Sequence, residues 1–326
     1  MTARIWLAGA TGYIGRAVAA ELSRRGFAVT VIVRPGYVAG RRGAADPALA
    51  GCRLLEADVS SPQALTSALA GEQADAVFSC LASRTGVADD AWRIDHRANS
   101  HLLSVAEQAG VRQFVLLSAI CVQRPTLAFQ EAKLAFEREL MGSGLTWSIV
   151  RPTAFFKSLA GQVGRVRSGK PFLMFGDGEG TACKPISESD LAAYLVDCLL
   201  NPERQNRILP IGGPGPAITP RQQGELLCRL AGQPVQLRSV PVRLFDVVAA
   251  VLGPFGRISK RMAEKAELAR IGRYYATESM LVWDEATQTY DADATPETGT
   301  DTLEAFYGRV LRDGLAGQEL GAAKVF

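Results

Sequence analysis

Two histidines, His96 and His101, are all that this chain of 326 residues has. They stand five residues apart in one expected helix, a poor spacing for a shared metal, so packing or surface roles are expected and no metal site. The six cysteines, at positions 52, 80, 121, 183, 198 and 228, form no C-x-x-C pair and show no metal-type spacing. Cys52 and Cys80 sit in apolar strands, where buried reduced thiols are the expectation. No apolar run approaches the length of a membrane span. Nor is any basic block long enough to track phosphates: Arg41 and Arg42 read as a solvated loop, and a net charge of +3 makes no case for nucleic acid. The first strand begins almost at once, at Arg4-Ile5-Trp6-Leu7, which leaves no room for a signal or transit peptide, so a cytoplasmic location is expected. Loose membrane association and the oligomeric state stay open.

What is present is ordinary for a globular protein: 48% hydrophobic and 21% charged residues, enough for one large core with an elaboration or for two modest domains. Short apolar runs at 5–8, 29–33, 53–56, 76–79, 113–117 and 146–150 read as strands. Amphipathic stretches at 14–25, 62–70, 95–109 and 130–141 read as the helices between them. This alternation predicts an α/β protein built on a doubly wound parallel sheet covered on both faces. After Arg151 the rhythm loosens. Residues 187–200 read as a helix with Ser187 or Ser189 as its cap. The most apolar stretch of the second half, 241–255, is expected as a helix over a cavity in preference to one lying on a membrane surface. Residues 274–283 and 290–302 read as an irregular, polar and aromatic cap.

Gly9-Ala10-Thr11-Gly12-Tyr13-Ile14-Gly15 follows the first strand and opens the first helix. Glycines let a backbone turn sharply and approach a pyrophosphate, and a helix N-terminus offers N–H groups to the anion. Dinucleotide binding by Gly9, Thr11, Gly12, Tyr13, Ile14 and Gly15 is therefore expected. Arg34 follows the second strand, where an NAD-selective site would carry an acid. Arg34 suits a 2′-phosphate and Arg16 adds a second positive charge, so NADPH is the expected cofactor. Asp58 is expected at the adenine end, and 79–83 bring backbone close to the cofactor. The expected division is a Rossmann-type NADP-binding domain over 1–157 and a smaller substrate-binding region over 158–326, of which about 185–212 returns to the Rossmann core.

Ser118 ends a strand, and after a loop Phe129 and Lys133 stand four residues apart on one helical face. A reductase of this build normally carries a tyrosine where Phe129 stands. The lysine is kept and the hydroxyl is gone, which describes a hydride-transfer enzyme that finds its proton elsewhere. These features resemble the short-chain dehydrogenase/reductase superfamily in its atypical, NmrA-like and isoflavone-reductase-like branch, and within it the NADPH-dependent reductases of the 8-vinyl group of divinyl chlorophyllide. The likeness covers most of the chain and is carried by LSAICVQRP at 117–125, FQEAK at 129–133, RPTAFFK at 151–157, YYATESM at 274–280 and YDADATP at 290–296. The last two lie outside the cofactor fold and discriminate most.

The resemblance implies reduction of the 8-vinyl group of divinyl chlorophyllide a, or of divinyl protochlorophyllide a, to ethyl in chlorophyll or bacteriochlorophyll synthesis. No alkoxide develops when an alkene is reduced, so the missing tyrosine fits. Lys133 would hold the nicotinamide ribose and add positive potential beside the hydride. Ser118 would orient the nicotinamide or a water, or simply end its strand. Pro152, Thr153 and Phe155 would form the wall behind the nicotinamide amide, and Tyr274, Tyr275 or an ordered water would give the proton. Cys121, Phe129, Phe156 and Trp283 would face a flat apolar pigment, with packing the alternative for Cys121 and core burial for Phe156 and Trp283; the magnesium belongs to the pigment. Two alternatives stand beside this reading: another NADPH-dependent alkene reductase of the isoflavone-reductase-like group, and a non-catalytic NADP-binding regulator or assembly factor.

Overall fold

The computed structural model describes residues 3–40, 46–257 and 259–315, so Arg41 and Arg42 lie outside the described residues. Strands β1 (Arg4–Ala8), β2 (Ala28–Val33), β3 (Arg53–Glu56), β4 (Ala76–Ser79), β5 (Gln113–Leu117) and β6 (Thr146–Pro152) pair in the order β3-β2-β1-β4-β5-β6, every pair parallel. Of the next two, β7 (Phe172–Phe175) lies outside this sheet and β8 (Arg207–Ile211) completes it beside β6 as the seventh strand. This is the doubly wound Rossmann-type sheet that the alternation predicts. β4 is buried along its whole length and β1 at all but its first residue, because helices cover both faces. The first helix, Tyr13–Arg24, buries Ile14, Gly15, Val18, Ala19 and Leu22, one face at helical spacing. Trp6, Val77, Leu102, Phe114, Phe136 and Ile149 belong to the core beneath the helices. The winding reverses between β1 and β4, and open sheets of this kind take ligands at the carboxyl ends of the strands at that point.

The chain divides into two compact units, Met1–Arg151 with Leu191–Leu209, and Pro152–Asp190 with Pro210–Phe326. In the first, the expected helix over 95–109 is split: Trp92–Ala98 winds as a π-helix and Asn99–Gln108 continues as an α-helix. The second unit has its own core, with Phe156, Phe172, Met174, Leu227, Phe306 and Tyr307. β7 pairs parallel with β9 (Leu237–Val240), while β10 (Val282–Asp284) and β11 (Thr289–Asp291) form an antiparallel pair. Ser187 caps the helix Glu188–Asp197 by accepting from the Asp190 N–H at 3.0 Å. Residues 274–277, expected as irregular, complete the long helix Lys260–Thr277. The stretch 241–255 forms a helix, Arg243–Leu252, none of whose residues is fully buried. No helix among the described residues is long and apolar enough to cross a membrane.

Candidate active site

The glycine turn sits at the reversal point, and Gly9 and Gly15 are sterically demanded. Gly9 has φ +83°, and a Cβ there would lie 2.4 Å from the Cys80 carbonyl oxygen, so the loops after β1 and β4 touch backbone to backbone. A Cβ on Gly15 would come within 2.2 Å of the Gly9 carbonyl oxygen. Gly12 starts the helix with no side-chain cap, and the first turn holds no acid. A helix start left uncapped and without negative charge fits a pyrophosphate. Arg34 is exposed just past β2. Its turn is shaped by Glu56, the last residue of β3, whose two carboxylate oxygens accept from the Gly36 and Val38 N–H groups at 3.1 and 2.9 Å. Those hydrogen bonds hold the Glu56 carboxyl below its ordinary pKa. Arg16 pairs with Asp46 at 3.1 Å, so its charge is shared with a carboxylate. Asp58 accepts from the Ser60 N–H and hydroxyl at 2.9 and 2.6 Å, which engages it in its own turn.

Lys133 lies on the helix Ala128–Met141, whose start is pinned by Gln130. That buried amide accepts from the Thr126 and Leu127 N–H groups and donates to the Cys121 carbonyl at 2.9 Å, clamping the loop that leads in. Lys133 Nζ stands 3.0 Å from Asp95 Oδ1, with both side chains nearly out of solvent. Asp95 comes from the π-helical turn, and its carboxylate also accepts from the Ser83 N–H at 3.3 Å. Asn99, which takes a hydrogen bond from Ser79 at the end of β4, donates to the Asp95 carbonyl at 3.0 Å. Burial alone would draw the Lys133 ammonium down, but the Asp95 carboxylate outweighs it and raises the pKa above the ordinary lysine value. The same enclosure pushes the Cys80 thiol up to about 12, against the pull of Lys133, so Cys80 is a thiol near neutrality.

Phe129, Lys133 and Glu137 recur every four residues and share one stripe of this helix. Glu137 is 1% exposed, accepts the Ser118 hydroxyl proton and binds the Arg151 guanidinium through both of its oxygens. Ser118 therefore has its one proton committed and presents only lone pairs elsewhere. Sequence reasoning found Ser118 and Lys133 but not Asp95, Glu137 or Glu56. The available signals were an acid one helical turn beyond Lys133 and another closing β3.

The remaining expected site residues, Cys121 apart, lie in the second unit. The Thr153 hydroxyl donates to the Lys184 carbonyl, and its N–H donates to Ile211 at 3.0 Å. Phe155 precedes a short 3-10 helix and bridges to Ile186. Phe156 is 1% exposed and packs on Phe306 with ring centroids 5.3 Å apart, so it is core and not a substrate wall. Cys121 is likewise buried and faces no open surface. Tyr274 is buried and Tyr275 half exposed, their rings edge-on at 5.7 Å. Trp283 crosses Tyr290 at 4.9 Å between β10 and β11. Cys52 and Cys80 flank their strands, half-buried, and do not sit inside them.

A family model described as NAD(P)H-binding matches residues 9–202. Fold and site together define an NADPH-dependent oxidoreductase of the short-chain type. Divinyl chlorophyllide a 8-vinyl-reductase, chloroplastic, from Zea mays is 48% identical over 99% of this chain and 82% of its own length. The Cucumis sativus protein of the same name is 50% identical over 99% of this chain and 79% of its own length. The chain belongs to the divinyl chlorophyllide a 8-vinyl-reductase family. Among solved structures, the NADPH-dependent quinone oxidoreductase of Escherichia coli in complex with NADPH matches at 20% identity with a TM-score of 0.67, over 94% of this chain and 99% of that one, which is a likeness of fold. The cytoplasmic location expected from the N-terminus is corrected by the plant relatives, which are named chloroplastic and point to the plastid.

Proposed function

We propose that this chain reduces the 8-vinyl group of divinyl chlorophyllide a, or of divinyl protochlorophyllide a, to ethyl. The observation that carries this is identity near one half to the vinyl-reductases over almost the whole chain, cap segments included. NADPH, when bound, supplies the hydride. The uncapped helix start at Gly12 holds the diphosphate and Arg34 the 2′-phosphate. Lys133 holds the ribose hydroxyls and sets a positive potential beside the reacting carbon, where negative charge spreads into the pigment macrocycle. Phe129 offers no hydroxyl, and none is needed, because no oxygen becomes an alkoxide. Ser118, its proton held by Glu137, orients the nicotinamide or a water by accepting. The proton that completes the ethyl group comes from Tyr274, Tyr275 or water. Changing both tyrosines to Phe separates these sources: full turnover in the double variant assigns the proton to water.

The test is anaerobic incubation of the protein with NADPH and each divinyl pigment, following the Soret band and separating products by chromatography. A blue shift with a monovinyl product, removed in Lys133→Ala, is expected. NADPH binding without product from either pigment would instead fit a non-catalytic binding protein.

A further inference from the structure

Several large apolar side chains are exposed singly over the surface, but four of them fall together in one stretch of the chain. Leu244, Val247, Val251 and Phe255 are 52%, 58%, 57% and 51% exposed. They stand three or four residues apart along Arg243–Leu252 and the short turn Pro254–Arg257, which makes one continuous ridge. Met262 is exposed in the first turn of the following helix, Lys260–Thr277. The opposite face of Arg243–Leu252 is already satisfied. Phe245 packs on Phe175 with ring centroids 4.5 Å apart and fills the space over Gly272, where a Cβ would meet the ring at 2.6 Å. Asp246 pairs with Arg273 at 2.6 Å, tying the two helices together. The fold therefore has no use for the outward ridge.

The charge of the same hairpin is one-sided. Residues 243–277 hold seven Lys and Arg against three Asp and Glu, an excess larger than the +3 of the entire chain. Asp246 and Glu267 are paired to Arg273 and Arg270, which leaves Arg243, Arg257, Lys260, Arg261 and Lys265 against the single acid Glu264, and Arg243, Lys260, Arg261 and Lys265 are exposed. We propose that this hairpin is a docking surface for an anionic lipid bilayer, with Leu244, Val247, Val251 and Phe255 entering the interface and the four cations meeting the headgroups. An exposed apolar ridge with a surplus of exposed cations on the same hairpin is the composition of a segment that lies in such an interface, and an anionic bilayer complements those cations together. A second copy of the chain fits worse, because a two-fold axis through the ridge would bring like charges opposite one another.

The experiment is sedimentation of the full chain with vesicles of phosphatidylcholine alone or with about one third phosphatidylglycerol. Binding to the anionic vesicles is expected to be about tenfold tighter or more, and to weaken steeply in high salt. Leu244→Ser with Val247→Ser and Val251→Ser should lose about tenfold of it while circular dichroism and NADPH binding stay unchanged. Lys260→Glu with Arg261→Glu and Lys265→Glu should abolish the preference for anionic lipid. The proposal is overturned by absence of vesicle binding or by equal binding of the triple serine variant. It is overturned equally by a dimer that the serine changes dissolve, or by a loss of pigment affinity that needs no vesicles.

Discussion

Lys133 and Asp95 form an ion pair at 3.0 Å that ties the helix Ala128–Met141 to the π-helical turn Trp92–Ala98. The carboxylate does two things at once: it keeps the buried ammonium charged and it receives the loop after β4 through Ser83. Because the folded-state pKa of Lys133 is raised, the pair's contribution is complete below the ordinary lysine value and is lost as pH rises through the folded value. Asp95→Asn leaves the burial, which acts in the opposite direction, opposed only by the smaller pulls of Cys121 and Glu137. The variant should lose about 3–5 kcal/mol of stability, read by urea unfolding. The alkaline break in NADPH affinity, followed by nicotinamide fluorescence, should move to lower pH. An unmoved break would mean that Asp95 does not govern the lysine's charge.

The Ser118–Glu137–Arg151 cluster makes a different kind of prediction. A hydroxyl that donates to a paired carboxylate is a poor acid, since losing its proton elsewhere would place an alkoxide beside that carboxylate. Ser118→Ala should therefore lower the rate of reduction without removing either limb of the pH–rate profile. Glu137, left with one partner fewer, should cost about 1–3 kcal/mol of stability. Loss of a limb in Ser118→Ala would restore the serine as a proton carrier.

What the sequence made legible follows from the range of the interactions involved. The strands and the glycine turn carry local signals: an apolar run buried on both faces, and a glycine pattern between strand and helix. In that pattern Gly15 is required by the Gly9 carbonyl of the same turn, although Gly9 itself is required by the distant Cys80 backbone. Asp95 and Glu137 were hidden because their partners are 38 and 19 positions or so away along the chain, and a lone acid in a helix reads as solvated. The π-helical winding that aims Asp95 has no periodicity signal distinct from an α-helix. Residues 241–255 showed an apolar face correctly, but amphipathicity states that a face exists and not what meets it. Phe156 was open between a pigment wall and core burial, and it packs into the second core, because an aromatic near the cofactor motifs serves either role.

Phe129 gives the most direct check on the chemistry. It occupies the helical turn before Lys133, so Phe129→Tyr restores the hydroxyl that carbonyl reduction would use. Reduction of a vinyl group develops no oxyanion, and the added hydroxyl should change turnover of the divinyl pigment by less than about threefold. Steady-state rates on matched preparations decide it. A gain of about tenfold or more would show that a proton was limiting and that this position can deliver it.

Arg34 decides the choice between the two nicotinamide dinucleotides. The end of β2 carries no acid to hold a ribose 2′-hydroxyl, and Glu56 at the end of β3 has both oxygens committed to the backbone of Gly36 and Val38. Arg16 is partly neutralised by Asp46, so most of the attraction for a 2′-phosphate rests on Arg34. Charge-assisted hydrogen bonds to a phosphate are worth about 1.5–3 kcal/mol, and Arg34→Ala should weaken NADPH binding by about 10- to 100-fold. NADH affinity should change little, since that cofactor lacks the phosphate. Fluorescence titrations with both cofactors separate the outcomes. Equal weakening of both would place Arg34 in the general architecture of the turn, and the 2′-phosphate would then have to be held by Arg16 breaking from Asp46.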